Sequence, residues 1–232
     1  MPREEKNKTI AVVIYPGAAL LDFVVTQTVL DRAGYRTATV GERTEPMGSD
    51  TPMTLIPEKR FEEVPEPFAI IVPGGGIASL EAMGNDRLIN YLRFAEHRAE
   101  LVSSVATGAF VLTAAGLLEG RRATTHPAYA ELLKRLGVNY VQSYSVEDGK
   151  FLSMEGVSGG IDTMLKLVAK LKSEAAAKRA QYIIEYDPEP PFGGVDWSEA
   201  NGDPLAQTLG EHRADLERAL AGRPDLYQKL FG

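Results

Sequence analysis

Four short segments of the chain carry side chains or glycines that could support chemistry, and each follows a predicted β-strand. They are residues 17–22, 74–76, 106–108 and 124–126. Ligands of open parallel sheets bind at the carboxyl ends of the strands, where helix N-termini present free backbone amides. We therefore expect the four segments to surround one pocket.

Asp22 is the acidic residue in the first of these segments, within the otherwise apolar string GAALLDFVV. One interpretation is a carboxylate that complements the dipole of the following helix, a contribution of a few tenths to about 1 kcal/mol. The other is a general acid or base whose pKa is raised by apolar neighbours. The sequence leaves both open, although apolar surroundings are unusual for a solvated capping residue.

A glycine-rich turn, Gly74, Gly75 and Gly76, follows the apolar strand FAIIV. The spacing of its outer glycines is also found in dinucleotide-binding loops. Those loops, however, follow the first strand and need a third glycine, where this chain has Ser79. We therefore predict no cofactor, and we expect the glycine amides to approach a small substrate or an oxyanion.

The segment LVSSVATGAF predicts a buried strand that turns directly into a helix. Such a turn often carries a nucleophile in α/β enzymes, yet its sharpest point here is Ala106, which has no functional group. His126 is the histidine nearest to a predicted strand end, and a core or solvent-facing histidine is its other interpretation. The three histidines, His97, His126 and His212, have no metal-ligand spacing, so we predict no metal site.

The composition limits the classes of function. The chain has 232 residues, a formal net charge of -7 and no cysteine. An acidic chain is a poor candidate for sequence-independent nucleic-acid binding, which needs a basic surface. The absence of cysteine removes disulfides and thiol chemistry. No apolar run approaches a membrane span, and the charged N-terminal residues lack the apolar stretch of a signal peptide, so we expect a cytoplasmic protein.

Apolar strands alternate with helical segments, which predicts an α/β fold with a mostly parallel sheet covered on both faces. The first helix is expected over residues 20–33, with its apolar face formed by Leu21, Val24, Val25, Thr28 and Val29. The strings VNYVQ and KFLSME predict a small hairpin around residues 147–149. Residues 1–185 are expected to form one domain. Residues 186–232 are expected to form a Pro- and Gly-rich arm and a charged helix, from about 204 to 220, that packs on the domain or on a partner subunit.

Five strings occur in an order and spacing that resemble the ThiJ/PfpI superfamily, and within it the isonitrile hydratase branch. They are IAVVIYPGAALLDF, IIVPGGG, SSVATGAFVLTAAGLLEGRRATTH, GVSGGIDTMLKLV and IEYDPEPPF. The resemblance implies a flavodoxin-like three-layer sandwich of the glutamine-amidotransferase-like type, usually a homodimer. It also implies a small-molecule substrate.

In isonitrile hydratases a cysteine at the strand-to-helix turn attacks the isonitrile carbon, an aspartate supplies a proton and later handles water, and the thioimidate is hydrolysed to an N-substituted formamide. The resemblance assigns the aspartate to Asp22 and an orienting threonine to Thr107. It places Gly74, Gly75, Gly76, Gly108 and His126 around the substrate. The chain departs from the family pattern at Ala106, which occupies the cysteine position.

The alanine leaves two explanations, a deliberate Cys→Ala substitution or a natural variant that binds small molecules without a nucleophile. We favour the first, because an unused site accumulates substitutions, whereas the other residues of the turn match the family pattern. Glyoxalase-like or deglycase-like chemistry on carbonyls is a further alternative. Such relatives carry a glutamate near the first helix and a histidine beside the cysteine. Asp22 favours the hydratase branch, and His126 keeps the carbonyl alternative open.

Overall fold

The computed structural model describes residues 8–190 and 209–232. Its strands are β1 (Thr9–Val13), β2 (Arg36–Gly41), β3 (Met47–Gly48), β4 (Thr54–Leu55), β5 (Lys59–Arg60), β6 (Ala69–Val72), β7 (Leu101–Val105), β8 (Arg122–Ala123), β9 (Asn139–Tyr140), β10 (Ser145–Asp148) and β11 (Phe151–Met154). Its helices are α1 (Leu20–Arg32), α2 (Ile77–Ala82), α3 (Asp86–Glu96), α4 (Gly108–Ala114), α5 (Ala130–Arg135), α6 (Val157–Leu171), α7 (Glu174–Ile183), α8 (Arg213–Ala219) and α9 (Pro224–Phe231).

The central sheet has the strand order β10-β11-β7-β6-β1-β2-β5. All neighbouring pairs are parallel except β10 with β11. The strands β2, β1, β6, β7 and β11 follow one another in the flavodoxin-like order, with the direction of winding reversing between β1 and β6. The predicted mostly parallel α/β sandwich is therefore confirmed, and the reversal marks the place where such sheets bind ligands.

Burial on both faces explains why the central strands are almost wholly apolar. Every residue of β6 and β7 is buried. The helices α1, α6 and α7 pack against one another on one face, where residues such as Ile71, Met154 and Val168 form a core. A second core on the other face contains Val72, Phe110 and Leu133. Each strand thus contributes alternate side chains to two apolar layers.

The predicted hairpin before α6 is present, but the prediction assigned the wrong segment to its first strand. Residues Asn139–Tyr140 of the string VNYVQ pair with β8 in a separate two-stranded sheet. The hairpin instead joins β10 to β11, with Gly149 at a φ of 65° in the turn. Short strands give weak periodicity, so the turn glycine was the better guide to the pairing.

The apolar face predicted for α1 was also wrong in part. The helix buries Asp22, Phe23, Thr26, Val29 and Leu30, whereas Leu21 is 57% exposed and Val24 is 42% exposed. The prediction counted apolar side chains, and α1 has them on more than one side. Because α1 packs against α6 and β2, the face that contains Asp22 and Thr26 points to the protein interior, and Asp22 is buried.

The C-terminal helices lie against the main domain. Leu216, Leu220, Leu226 and Leu230 belong to the same core as α3 and α4. Arg223 donates to the Ala114 carbonyl at 3.1 Å. The predicted arm lies largely outside the described residues, and the described residues 209–220 of the predicted charged helix contain α8, Arg213–Ala219. Helix α4 ends at Ala114, and Gly116 follows it at a φ of 77°.

Candidate functional site

Three strand ends meet at Gly74, which follows β6. A β-carbon built on Gly74 would lie 2.6 Å from Asp22 Oδ2, 3.0 Å from Thr107 Oγ1 and 3.1 Å from Ala106 Cβ. Asp22 lies in α1, after β1, and Ala106 and Thr107 connect β7 to α4. The sheet therefore brings together side chains separated by up to 85 positions in the sequence (Asp22 to Thr107, 107 − 22). Only glycine leaves room for this convergence.

The Asp22 side chain is buried, with 5% of the residue exposed. Its Oδ2 accepts a hydrogen bond from the Gly74 amide at 2.9 Å. Burial raises the pKa of Asp22 to about 6, while the Gly74 amide opposes the shift and the negative charge of Asp50 adds to it. A carboxyl group with this pKa exchanges its proton near neutral pH, as a general acid or base must.

Ala106 adopts a left-handed backbone conformation, with a φ of 47°. Its amide donates to the Met154 carbonyl at 2.9 Å, and its carbonyl accepts from the Thr125 hydroxyl at 2.9 Å. A non-glycine residue in this region costs about 1–3 kcal/mol and persists only when its surroundings hold it. The turn thus has the strained geometry of a nucleophile elbow, with a methyl group at its tip.

The Thr107 hydroxyl is the centre of a buried hydrogen-bond chain. Its Oγ1 accepts from the amides of Gly75 at 3.0 Å and Gly76 at 2.9 Å. It is also 2.8 Å from Ser79 Oγ, which is 2.9 Å from the Tyr15 hydroxyl. The Tyr15 hydroxyl donates to the Pro73 carbonyl at 2.7 Å.

The carbonyl at the end of this chain fixes its direction. Because the Pro73 carbonyl can only accept, Tyr15 donates to it, Ser79 donates to Tyr15, and Thr107 donates to Ser79. Burial raises the pKa of Tyr15, so its proton stays in place. The Thr107 hydroxyl therefore has its proton and both lone pairs engaged, and all three amides of the glycine turn donate to side chains of the protein.

The segment containing His126 reaches the rim of the site through its neighbours. The Thr125 hydroxyl holds the Ala106 carbonyl, and the Tyr129 hydroxyl lies 3.2 Å from a β-carbon built on Gly76. The His126 ring makes an edge contact with Tyr129, and its Nδ1 accepts from the Ala128 amide at 3.3 Å. Burial lowers the pKa of His126, which favours the neutral ring.

Three residues of this site were missed by the sequence reasoning. The hydroxyls of Tyr15 and Ser79 carry no spacing signal of their own, and the sequence indicated Ser79 only as the absence of a third glycine. Asp50 lies in a Pro-, Gly- and Thr-rich stretch with no motif, and its carboxylate accepts from the Leu20 amide at 2.8 Å. Such long-range partners become visible only in the folded chain.

Within the described ranges, no group of three or more histidine, aspartate or glutamate side chains could hold a metal ion. The helices of those same ranges include none long and apolar enough to cross a membrane.

Comparisons with known proteins place this geometry in a family. The DJ-1/PfpI family model matches residues 8–170. The chain is similar to an isonitrile hydratase from Pseudomonas putida, with 41% identity over 148 residues, which cover 63% of this chain and 64% of that protein. The match thus spans slightly less than two thirds of that relative's length.

Two further relatives show the range of the family. A deglycase from Pyrococcus abyssi is 30% identical over 112 residues, covering 48% of this chain and 67% of that protein. The crystal structure of a ThiJ/PfpI family protein from Pseudomonas syringae superimposes with a TM-score of 0.81 at 26% identity, covering 95% of each chain.

Proposed function

This chain belongs to the DJ-1/PfpI family, and from that premise we propose that its site is of the isonitrile hydratase type. With cysteine at position 106, such a site hydrates an isonitrile to an N-substituted formamide. With Ala106 it binds the same small molecule but forms no covalent intermediate. We therefore propose that the chain is an inactivated Cys→Ala variant of a hydratase.

The observation that carries this proposal is the convergence of Asp22, Thr107 and Ala106 at Gly74. A sulfur atom on the Ala106 β-carbon would extend from the strained turn into the region next to the Asp22 carboxyl. The pKa of Asp22, raised by burial to about 6, keeps an appreciable fraction of the carboxyl protonated near neutral pH. A nucleophile and a proton donor would then lie on either side of one reacting carbon.

The first chemical step forms a carbon–sulfur bond. The thiolate attacks the terminal isonitrile carbon, the carbon–nitrogen triple bond becomes a double bond, and the Asp22 carboxyl gives its proton to the same carbon. The product is a thioimidate, and Asp22 is left as a carboxylate. Covalent capture divides one difficult hydration into two easier steps.

The second step consumes water. The Asp22 carboxylate takes a proton from a water molecule as the oxygen attacks the thioimidate carbon, and passes a proton to the nitrogen. The carboxylate then takes the hydroxyl proton, the carbon–oxygen double bond forms, and the carbon–sulfur bond breaks. The formamide leaves, and the thiolate and the protonated Asp22 are restored.

The hydrogen bonds of the glycine turn support an isonitrile rather than a carbonyl substrate. Addition to a carbonyl places negative charge on oxygen, which needs preorganised donors. The amides of Gly74, Gly75 and Gly76 already donate to Asp22 and Thr107. Addition to an isonitrile places the developing charge on carbon and then on nitrogen, where a proton from Asp22 neutralises it.

The test compares the chain with its Ala106→Cys variant, each incubated with an alkyl isonitrile while formamide is followed. We expect turnover in the cysteine form only, loss of that turnover in Ala106→Cys with Asp22→Asn, and a thiol that reacts with iodoacetamide near neutral pH. Turnover by the alanine form would contradict the role of the nucleophile. No turnover in either form would favour the alternatives.

Carbonyl chemistry of the deglycase or glyoxalase type is the second candidate, because His126 lies in the segment that holds the Ala106 carbonyl. A natural cysteine-less binding module is the third, because the alanine itself is compatible with it. Methylglyoxal turnover by Ala106→Cys that is lost with His126→Asn would select the second candidate. Tight isonitrile binding by the alanine form, with no turnover in the cysteine form, would select the third.

The proposed partners are a small molecule and a second copy of this chain. The exposed Leu21 and Val24 lie on the outer side of α1, one and two positions from the buried Asp22. Contiguous exposed apolar side chains mark interaction surfaces, and we propose this side of α1 as the contact with the second copy.

A further inference from the structure

We propose that Asp50, in the turn between β3 and β4, is a positioning residue for the acid Asp22. It fixes the start of α1 from outside the helix, and its negative charge acts on the Asp22 carboxyl. The mechanistic value of this role rests on the proposed function, whereas the coupling between the two carboxyl groups does not.

The first observation is a clamp of three hydrogen bonds. Asp50 Oδ1 accepts from the Leu20 amide at 2.8 Å, the Asp50 amide donates to the Ala18 carbonyl at 3.2 Å, and the Gly17 amide donates to the Gly48 carbonyl at 2.9 Å. The residue in the capping position of α1 is Ala19, whose side chain accepts no bond from the helix. Asp50 therefore supplies from a distant hairpin the acceptor that a capping side chain would provide.

The second observation is the position of Asp22, two residues after Leu20. Asp22 lies in the first turn of a 13-residue helix, so a shift of the helix start moves its carboxyl relative to Gly74. The Gly74 amide is 2.9 Å from Asp22 Oδ2, a contact that tolerates little displacement. The clamp thus sets the geometry of the acid.

The third observation is electrostatic. The negative charge of Asp50 raises the pKa of both Asp22 and Tyr15, and the exposed Asp50 carboxylate lies at the Leu20 amide, two residues before Asp22. Tyr15, which follows β1 and also senses the Asp22 charge, has a raised pKa and stays uncharged near neutral pH, and Gly74, Ala106 and Thr107 beside the carboxyl carry no titratable side chain. Among the described residues, Asp50 is the charged side chain that contributes to the raised pKa of Asp22.

The experiment follows the Asp22 side-chain carbon by NMR across pH in the chain as it exists. We expect Asp50→Asn to lower the Asp22 titration midpoint by a few tenths of a pH unit, since the charge is lost while the oxygen acceptor is kept. We expect this difference to shrink in 1 M salt, because the charge is screened. Glu45→Gln is the matched control, because it removes an exposed charge just before β3, and it leaves the midpoint unchanged.

A second readout tests the clamp. In Asp50→Ala the Leu20 amide loses its acceptor, so we expect faster hydrogen exchange there than in Asp50→Asn, together with a lower urea midpoint. An Asp22 midpoint that moves no more in Asp50→Asn than in Glu45→Gln overturns the charge coupling. An unchanged Leu20 exchange rate in Asp50→Ala overturns the clamp. A lowered Asp22 midpoint together with no isonitrile turnover in Ala106→Cys leaves this inference standing and refutes the proposed function instead.

Discussion

At the scale of single residues, Asp22 is a buried carboxyl group whose environment resists its ionisation. Burial outweighs the one hydrogen bond from the Gly74 amide and raises its pKa from 3.8 to about 6. A solvated helix-capping aspartate would show the opposite shift, since the helix N-terminus favours the charged form. The structure therefore favours the acid–base interpretation of this residue over the capping one.

This burial predicts a pH-dependent stability. The folded pKa lies above the unfolded one, so the contribution of Asp22 is fully present below about pH 3.8 and is lost as the pH rises through about 6. We expect Asp22→Asn to be more stable than the parent at pH 8, by at most about 3 kcal/mol for the 2.2-unit difference between the two values (6 − 3.8). Near pH 4 the two proteins should be about equally stable.

Urea unfolding of both proteins at the two pH values checks this prediction. Asp31→Asn, which removes an exposed carboxylate of the same helix, is the control and should show little pH-dependent difference. If the difference in free energy of unfolding between Asp22→Asn and the parent is the same at both pH values, the pKa of Asp22 is not raised by folding.

At the scale of elements, the site depends on how closely α4 approaches β6. A β-carbon on Gly108, the first residue of α4, would lie 2.2 Å from the Val72 carbonyl oxygen and 2.7 Å from that of Pro73. Both atoms belong to the backbone at the end of β6 and cannot move independently. The approach of helix and strand brings Thr107 within reach of the glycine turn.

We therefore expect Gly108→Ala to lower the free energy of unfolding by about 1–3 kcal/mol or more, as overpacking does. In the Ala106→Cys background it should also reduce turnover, since α4 must shift away from Gly75 and Gly76. Gly160→Ala in α6 is the control, because a β-carbon there meets nothing within 4 Å, and it should stabilise the helix by roughly 0.5–1 kcal/mol. Urea unfolding measures both, and a neutral Gly108→Ala would contradict the close contact.

At the scale of the whole molecule, the outer face of α1 is the surface that we expect a second copy of the chain to cover. Light scattering should give a mass of twice 25.2 kDa. Leu21→Glu combined with Val24→Glu places two charges on that face and should yield monomers. Phe94→Glu, at a 58% exposed phenylalanine of α3, is the control and should remain dimeric. A dimer that survives the α1 changes but not the α3 change would assign the interface elsewhere.

The fold class and most elements could be predicted from the sequence, because burial on both faces forces continuous apolar strands and glycines end the helices. Gly34, for example, follows α1 at a φ of 81°. The pairing of β10 and the inner face of α1 could not be predicted. A short strand does not specify which strand it pairs with, and a helix that is apolar on several sides does not specify which side is buried. Tertiary packing determines both.

The sequence by itself determined which residues could do chemistry: an aspartate in an apolar string, a glycine turn, and an alanine at the tip of a strand-to-helix turn. Local rules suffice for this, since chain direction and composition place such residues at strand ends. Only the tertiary structure decided that Asp22, Thr107 and Ala106 meet at Gly74, that Tyr15 and Ser79 fix the direction of the Thr107 hydroxyl, and that Asp50 holds the start of α1. The hydrogen bonds among these residues join positions 28 to 64 apart in the sequence, and no local pattern encodes a distance that depends on how the sheet is wound.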